Sequence, residues 1–264
     1  MKLSVIIPSW KDPLLVPTIN SLLKTSDLGD GLEIIAVFDG YWPNFTLVED
    51  HRVRYVHLGK NRGMREAINA GVSVSRGEFI MRSDEHCLFA QGFDKVMVDS
   101  CQPDWIMTAR RYWLDPKKWA VMEEMGYMDY EKLALRVEPD YSKFEGQRWA
   151  SRKRERRHIM IDETMAMQGS VWVMPRAWWD KVIVGLQTEG YGPLYQDSHE
   201  MVFKTWKAGG KLMLNKNTWF AHRHFRFSRT HQYGKAEAKP GWAYAIEQWG
   251  EYYLNEIKPK WGLP

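Results

Sequence analysis

The residues best placed to do chemistry are Asp84 and His86, in the run Ser83-Asp84-Glu85-His86-Cys87 directly behind the apolar stretch Glu78-Phe79-Ile80-Met81. At the end of a strand, side chains two residues apart share a face and turn toward one point. A carboxylate oxygen and an imidazole nitrogen at that point make half a coordination shell for Mn²⁺ or another borderline divalent ion. An isolated Asp-x-His is a weak signal. Its place in the chain strengthens it, because the preceding segments are strand–turn units suited to a nucleotide.

Those units read as follows. Residues 3–7 form a short apolar run closed by Pro8, the pattern of a buried parallel strand. Asp12 is the expected N-cap of a helix opened by Pro13 and continued through Leu15, Ile19, Leu22 and Leu23. A second strand over 33–38 stops at Asp39-Gly40, and a third covers 53–57. Asn61-Arg62-Gly63 makes a turn into a helix over 64–74, followed by a fourth strand over 78–82. This alternation predicts an α/β fold, a mostly parallel sheet with helices on both faces. Ligands of such sheets bind beyond the carboxyl ends of the strands. Pro8 to Asp12, Asp39, residues 61–63 and residues 84–86 should therefore converge on one crevice.

Beyond residue 100 the pattern changes. Strands are expected at 105–109 and 171–174, helical pieces at 117–125 and 130–135, and a helix from 175 to 182. A helix over 198–208 ends at Gly209-Gly210. A short strand pair follows at 211–214 and 218–221, and an aromatic helix spans 242–257. The chain divides into a sheet half (1–100), a second half (101–226) and an aromatic helical tail (227–264), all within one compact domain.

Bulk properties narrow the class. The chain has 264 residues, 44% hydrophobic and 27% charged, values of a globular protein. A net charge of +4 suits an anionic small ligand and does not by itself demand nucleic acid. Two cysteines, Cys87 and Cys101, are too few for a disulfide framework and point to a reducing compartment. No window is long and apolar enough for a membrane span, and the run after Lys2 is too short for a signal peptide. The expected location is the cytoplasm. Fourteen tryptophans are many for this length. Core packing accounts for most of them, and a flat surface for sugars or bases is the alternative.

Taken in order, these blocks resemble family 2-type glycosyltransferases with the GT-A nucleotide-sugar fold. The match runs through Ser4-Val5-Ile6-Ile7-Pro8-Ser9-Trp10, Ile34-Ile35-Ala36-Val37-Phe38-Asp39-Gly40, Asn61-Arg62-Gly63 with Asn69-Ala70-Gly71, and Ser75-Arg76-Gly77-Glu78-Phe79-Ile80. Asp84-Glu85-His86-Cys87 is similar to the Asp-x-His-Cys of the polypeptide N-acetylgalactosaminyltransferases. In the second half, residues 164–173 and Gln196-Asp197-Ser198-His199-Glu200 resemble the acceptor strand and acidic helix of those enzymes. The resemblance covers about residues 3–226. It departs at Phe38 and Tyr41, which stand where an Asp and a Ser are usual. Gln147-Arg148-Trp149 lies before the acidic helix instead of after it, which argues against a processive synthase.

The resemblance implies transfer of a sugar from a nucleotide diphosphate, with a UDP donor and Mn²⁺ or Mg²⁺. Asp84 and His86 would hold the ion. A third ligand is expected far along the chain, His222 first and His224 as the alternate. Asp39 would read the base, and Pro8, Trp10, Asp12, Asn61 and Ser83 would line the donor pocket. Arg62 and Arg65 are candidate phosphate contacts. Asp197 is the candidate catalytic carboxylate, with Glu200 one helical step away. An N-cap is the plain alternative for Asp197, and a turn residue for Asp39. The acceptor is a hydroxyl on a glycan, glycolipid or small molecule. Basic segments 148–157 and 222–235 raise a second possibility, a hydroxymethylated DNA base held through phosphate contacts; a solvated charged face is the plain reading of such runs. Rival classes are a sugar nucleotidyltransferase, which should carry a Gly-rich loop after the first strand, and a non-catalytic nucleic-acid or glycan-binding module. Oligomeric state is not legible in the residues.

Overall fold

The computed structural model describes residues 1–193, 195–224 and 235–263. The first half alternates β1 (Leu3–Ser9), α1 (Leu15–Thr25), β2 (Leu32–Asp39), β3 (Val53–Leu58), α2 (Met64–Val74), β4 (Phe79–Ser83), β5 (Cys87–Phe89) and α3 (Phe93–Ser100). The second half opens with β6 (Trp105–Asp115), β7 (Ala120–Val121) and β8 (Tyr127–Met128). A hairpin of β9 (Glu131–Glu138) and β10 (Tyr141–Arg148) follows, then α4 (Ala150–Glu155), β11 (Ile161–Glu163), β12 (Val171–Pro175) and α5 (Arg176–Trp178). The last elements are α6 (Asp197–Lys207), β13 (Lys211–His222), α7 (Lys235–Tyr252) and α8 (Lys258–Lys260).

The main sheet runs β11-β13-β6-β12-β4-β1-β2-β3. Strands β4, β1, β2 and β3 are parallel neighbours, as the alternation predicts. Strand β12 enters antiparallel between β4 and β6. It carries the sheet into the second half without an interruption. The continuous apolar runs of β1 and β2 serve two cores at once. Val5, Ile7, Ile34 and Ala36 pack with Leu15, Ile19 and Leu22 of α1 and Met97 of α3. Ile6, Ile35 and Val37 face the other way, onto Ala67 and Ile68 of α2 and the core shared with Phe203 and Trp206 of α6. Burying a strand on both faces is what makes its sequence uniformly apolar. Gly71 lets α2 lie close to β1, since a Cβ there would come 2.4 Å from Ile6 Cγ2.

Several local expectations are corrected. Residues 117–125 and 130–135 are not α-helical: the first hold β7 and a single 3₁₀ turn at Glu123–Met125, and the second the start of β9. The segment Glu131–Glu138 is rich in helix-forming Leu, Ala and Glu, yet Leu133, Leu135 and Val137 recur every second residue. Pairing with β10 and the covering helix α7 settles the contest in favour of the strand, with Phe144 and Leu133 buried in the same core as Phe203. The strand pair expected at 211–214 and 218–221 is one strand, β13, whose register shifts between Asn215 and Trp219. Helix α1 begins at Leu15 with Leu14 in the cap position, so Asp12 is not its N-cap. The core reading of the tryptophans holds for Trp172, Trp178, Trp179 and Trp206, all buried; Trp242, 6% exposed, lines a cavity instead, and Trp42 is the exposed one, stacked on His57. No helix among the described residues is long and apolar enough to cross a membrane.

Candidate active site

Strand β4 ends at Ser83, and the turn 84–86 leads into β5. Strand β5 pairs antiparallel with the end of β13, which sets His222 opposite Cys87. This pairing brings a residue far along the chain to the Asp-x-His turn. Asp84 Oδ2 lies 3.0 Å from His222 Nε2 and 3.9 Å from His86 Nε2. One potential ligand atom from each of Asp84, His86 and His222 falls within 4.8 Å of the others. Of the two candidate third ligands, His222 is therefore the one in the cluster. His224 stands behind it, with its ring 4.5 Å from that of His222 and its Nδ1 3.5 Å from Gln168 Nε2.

His86 is oriented from behind. Its Nδ1 lies 2.9 Å from Asp12 Oδ2, and Asp12 Oδ1 accepts the Leu14 N–H at 2.9 Å. A carboxylate on the far nitrogen fixes a ligating imidazole and raises its basicity. Asp12, expected to line the donor pocket, is buried behind His86. Glu85 points the other way and accepts the Trp10 N–H at 3.1 and 3.2 Å, tying the turn after β1 to the turn 84–86.

A residue that sequence reasoning missed joins this cluster to the acidic helix. Arg82 is buried on β4. Its Nη2 donates to Asp84 Oδ1 at 2.6 Å, and its Nη1 donates to Asp197 Oδ2 at 2.8 Å and to the Gly169 carbonyl. The signal was present: an arginine inside the apolar strand Phe79–Ser83 needs carboxylate partners to be buried at all. Gln196 takes the cap position of α6, so Asp197 is the first helical residue and sends its carboxylate to Arg82 instead of capping.

Burial alone would raise the Asp84 carboxyl; the Arg82 guanidinium and the hydrogen bond from His222 outweigh it and hold the group well below the usual carboxylate range. Burial pushes the His222 imidazole down to about 4 and His224 down to about 3. Both are therefore neutral near pH 7, the form a metal ligand requires. His222 Nδ1 is buried without a partner among the described residues, while Nε2 donates to the Asp84 carboxylate, which places the neutral ring's proton on Nε2. One carboxylate and two imidazoles, one of them backed by Asp12, suit Mn²⁺ or a similar divalent cation.

A pH dependence follows. Between the ordinary histidine value of 6.5 and about 4, His222 stays neutral when folded but takes up a proton when unfolded. The contribution of the neutral ring is complete above that window and is lost as the pH falls through it. The urea midpoint of the metal-free protein should decline from about pH 6.5 to about pH 4. His222→Gln should shrink that decline. An unchanged slope in the variant would remove His222 as its source.

The donor-side candidates lie at or just beyond the carboxyl ends of β1, β2, β3 and β4, on the same edge of the sheet. Asp39 closes β2 and staples the next turn: Oδ1 accepts the Arg62 N–H at 2.6 Å and Oδ2 the Gly63 N–H at 2.8 Å. Asn61 Nδ2 donates to the Asp39 carbonyl at 3.1 Å. Gly63 has φ +90°, and a Cβ there would meet Pro193 at 2.3 Å, so only glycine fits that turn. Arg62 is exposed, while Pro8 and Trp10 are half-buried at the end of β1. Ser83 is buried and donates to the Asp84 carbonyl at 2.8 Å, bracing the turn.

Two candidates are spent inside the fold. Arg65 is fully buried, paired with Glu200, and its guanidinium also donates to the carbonyls of Tyr195 and Gln187 at 2.8 and 2.9 Å. With no exposed surface, the guanidinium is out of reach of a phosphate. Glu200 is shared between Arg65 and Lys204 at 2.7 Å, which removes it from proton transfer. The pair instead fixes the loop that delivers Asp197. The basic segment 148–157 is also partly consumed. Arg156 pairs with Asp162 at 2.7 Å, Arg152 donates to the Glu163 carbonyl at 2.8 Å, and Lys153 donates to the Tyr127 carbonyl at 3.1 Å. Arg148, Arg154 and Arg157 remain exposed. Of the second basic segment, 222–235, residues 225–234 lie outside the described residues.

Beyond Asp197 opens a cavity of about 280 Å³, walled by the β9–β10 hairpin, residues 167–169, the start of α6 and Trp242. A larger groove of about 540 Å³ lies by Asn69, Arg176 and Asp180. Arg176 there bonds to Gly77, just before β4 begins, so that groove sits at the amino ends of the strands. It holds none of the residues described above, and the carboxyl-end site is the one with chemistry.

Residues 4–158 match the family model for glycosyl transferase family 2. Among solved structures, that of GalNAc-T7 with UDP, GalNAc and Mn²⁺ superposes with a TM-score of 0.73 at 17% identity, over 97% of this chain and 50% of that one. S. aureus TarS (residues 1–349) gives a TM-score of 0.50 at 15% identity, over 84% of this chain and 60% of that one. At these identities the likeness is one of fold, and the chain spans only half to three-fifths of either neighbour. Among curated proteins, none matches the chain.

Proposed function

The chain belongs to glycosyl transferase family 2 and is a glycosyltransferase of GT-A fold, and from that premise we propose that it moves a sugar from a UDP-sugar to an acceptor hydroxyl with a divalent cation bound. The observation that carries this reading is the chain of contacts Asp84–Arg82–Asp197 with His86 and His222 at its donor end. It sets a cation site and a proton acceptor on opposite sides of one buried guanidinium. The UDP and Mn²⁺ in the GalNAc-T7 structure support the choice of donor and ion.

In this reading, residues 1–100 bind the donor, 101–226 shape the acceptor side, and α7, packed on β10, covers that side. Asp84, His86 and His222 would hold the cation, which supplies positive charge to the departing diphosphate. Asp39 and the turn 61–63 receive the nucleoside, and Arg62 stands where a phosphate would pass. Asp197 accepts the proton of the acceptor hydroxyl. The acceptor oxygen bonds to the anomeric carbon as the bond from that carbon to the β-phosphate oxygen breaks. The electron pair of that bond leaves on the diphosphate. Arg82 holds Asp84 and Asp197 in one geometry throughout.

The two cysteines are free and buried, and burial raises both thiols, in keeping with a reducing, cytoplasmic location. The direct test is whether a UDP-sugar is turned over only when a divalent cation is present.

A further inference from the structure

The cavity beyond Asp197 says something about the acceptor. Its charged groups are already paired. Lys143 Nζ lies 2.8 Å from Glu145 Oε1, and Asp197 is held by Arg82. Glu131 is paired with Arg111, so among the described residues lining this wall no charged side chain is left without a partner for a phosphate or another ionic substrate. The unpaired groups are neutral. Gln196, only 8% exposed, donates its Nε2 to the Phe144 carbonyl but has a buried Oε1 with no partner among the described residues. His199 Nδ1 is likewise buried and without a partner, and burial pushes that imidazole down to about 4. Buried polar atoms left without partners are destabilising, so their persistence beside a cavity marks a place for a ligand's hydrogen bonds. Trp242 lines the same space, with Tyr195 against it at a ring separation of 6.0 Å.

Resting on the transferase reading above, we infer that this cavity takes an uncharged saccharide ring as acceptor, placed between Trp242 and the pair Gln196 and His199, with its reacting hydroxyl toward Asp197. A pyranose offers what these walls lack: hydroxyls that both donate and accept, and apolar C–H faces to lie on an indole. At about 280 Å³ the space is just below the range of small-ligand pockets, ~300–1,000 Å³, and suits a ring and its linkage. A DNA duplex would instead ask for unpaired cations along the wall.

The test offers radiolabelled UDP-sugars and Mn²⁺ together with methyl glycosides of hexoses and N-acetylhexosamines, a 5-hydroxymethylcytosine duplex, and a Ser/Thr peptide. Label is expected on a methyl glycoside. His199→Leu, which removes the nitrogen and keeps the volume, should raise the KM for that glycoside about tenfold, more than it raises the donor KM. Trp242→Ala should do the same, and Trp242→Phe, which retains a ring, should restore most of the loss and guards against a folding failure. Label on the duplex or the peptide instead overturns the saccharide acceptor and leaves the transferase reading standing. So does metal-dependent release of free sugar with no glycoside product. No metal-dependent turnover under any condition overturns both.

Discussion

Asp84→Ala is expected to lower metal-dependent turnover of the donor by about a thousandfold or more, the scale lost when the charge opposing a leaving diphosphate is removed. Asp84 is the one carboxylate in the three-residue cluster with His86 and His222, and it is held ionised by Arg82. Asp84→Asn should be nearly as severe, because the amide still accepts from Arg82 but brings no charge to a cation. The apparent Mn²⁺ affinity should fall in parallel. The structural cost is separable. Loss of Asp84 leaves Arg82 with Asp197 and the Gly169 carbonyl, so far-UV circular dichroism should remain that of a folded chain. A folded Asp84→Ala with unaltered metal dependence would remove the cation from this site.

Asp197→Asn is expected to reduce kcat for transfer by about 10²- to 10⁴-fold, the range for loss of a positioned proton acceptor. The donor KM should change by no more than a few-fold, since the carboxamide oxygen still accepts from Arg82 Nη1. Comparing pre-steady-state transfer with equilibrium UDP binding separates the two effects. A large rise in donor KM with kcat retained would assign Asp197 to the donor sugar instead of the acceptor proton.

The first half of the fold was legible in the residues because its signals are local. Uniform apolar runs closed by Pro8, by Asp39-Gly40 and by the Asp84 turn mark strand ends, and strand ends mark the crevice. The third member of the cluster with Asp84 and His86 was legible only as a choice between His222 and His224. The deciding fact, antiparallel pairing of Cys87 with His222, is a long-range register that no local pattern carries. Arg65 and Glu200 misled for a related reason. An arginine on a helix beside a phosphate crevice and an acid in an acidic helix both suggest function, yet here they find each other in the core. Only the three-dimensional packing reveals that they neutralise one another. Asp12 shows the reverse. Its sequence context suits a helix cap, and its burial against His86 makes it a support of the Asp84, His86 and His222 cluster. The hairpin 131–148 was misread because helix propensity and a two-residue period conflict there, and its partners lie a hundred residues on in α7.

The most direct measurement is turnover of UDP-sugars by the wild-type chain, followed as UDP release, with Mn²⁺, with Mg²⁺ and after chelation, beside GDP- and ADP-sugars as controls. UDP release that appears with the divalent cation, stops on chelation and returns when the cation is restored is the result expected from the Asp84, His86 and His222 cluster. Equal turnover in the presence and absence of chelator, or none with any nucleotide sugar, would contradict a cation-assisted transferase at this site.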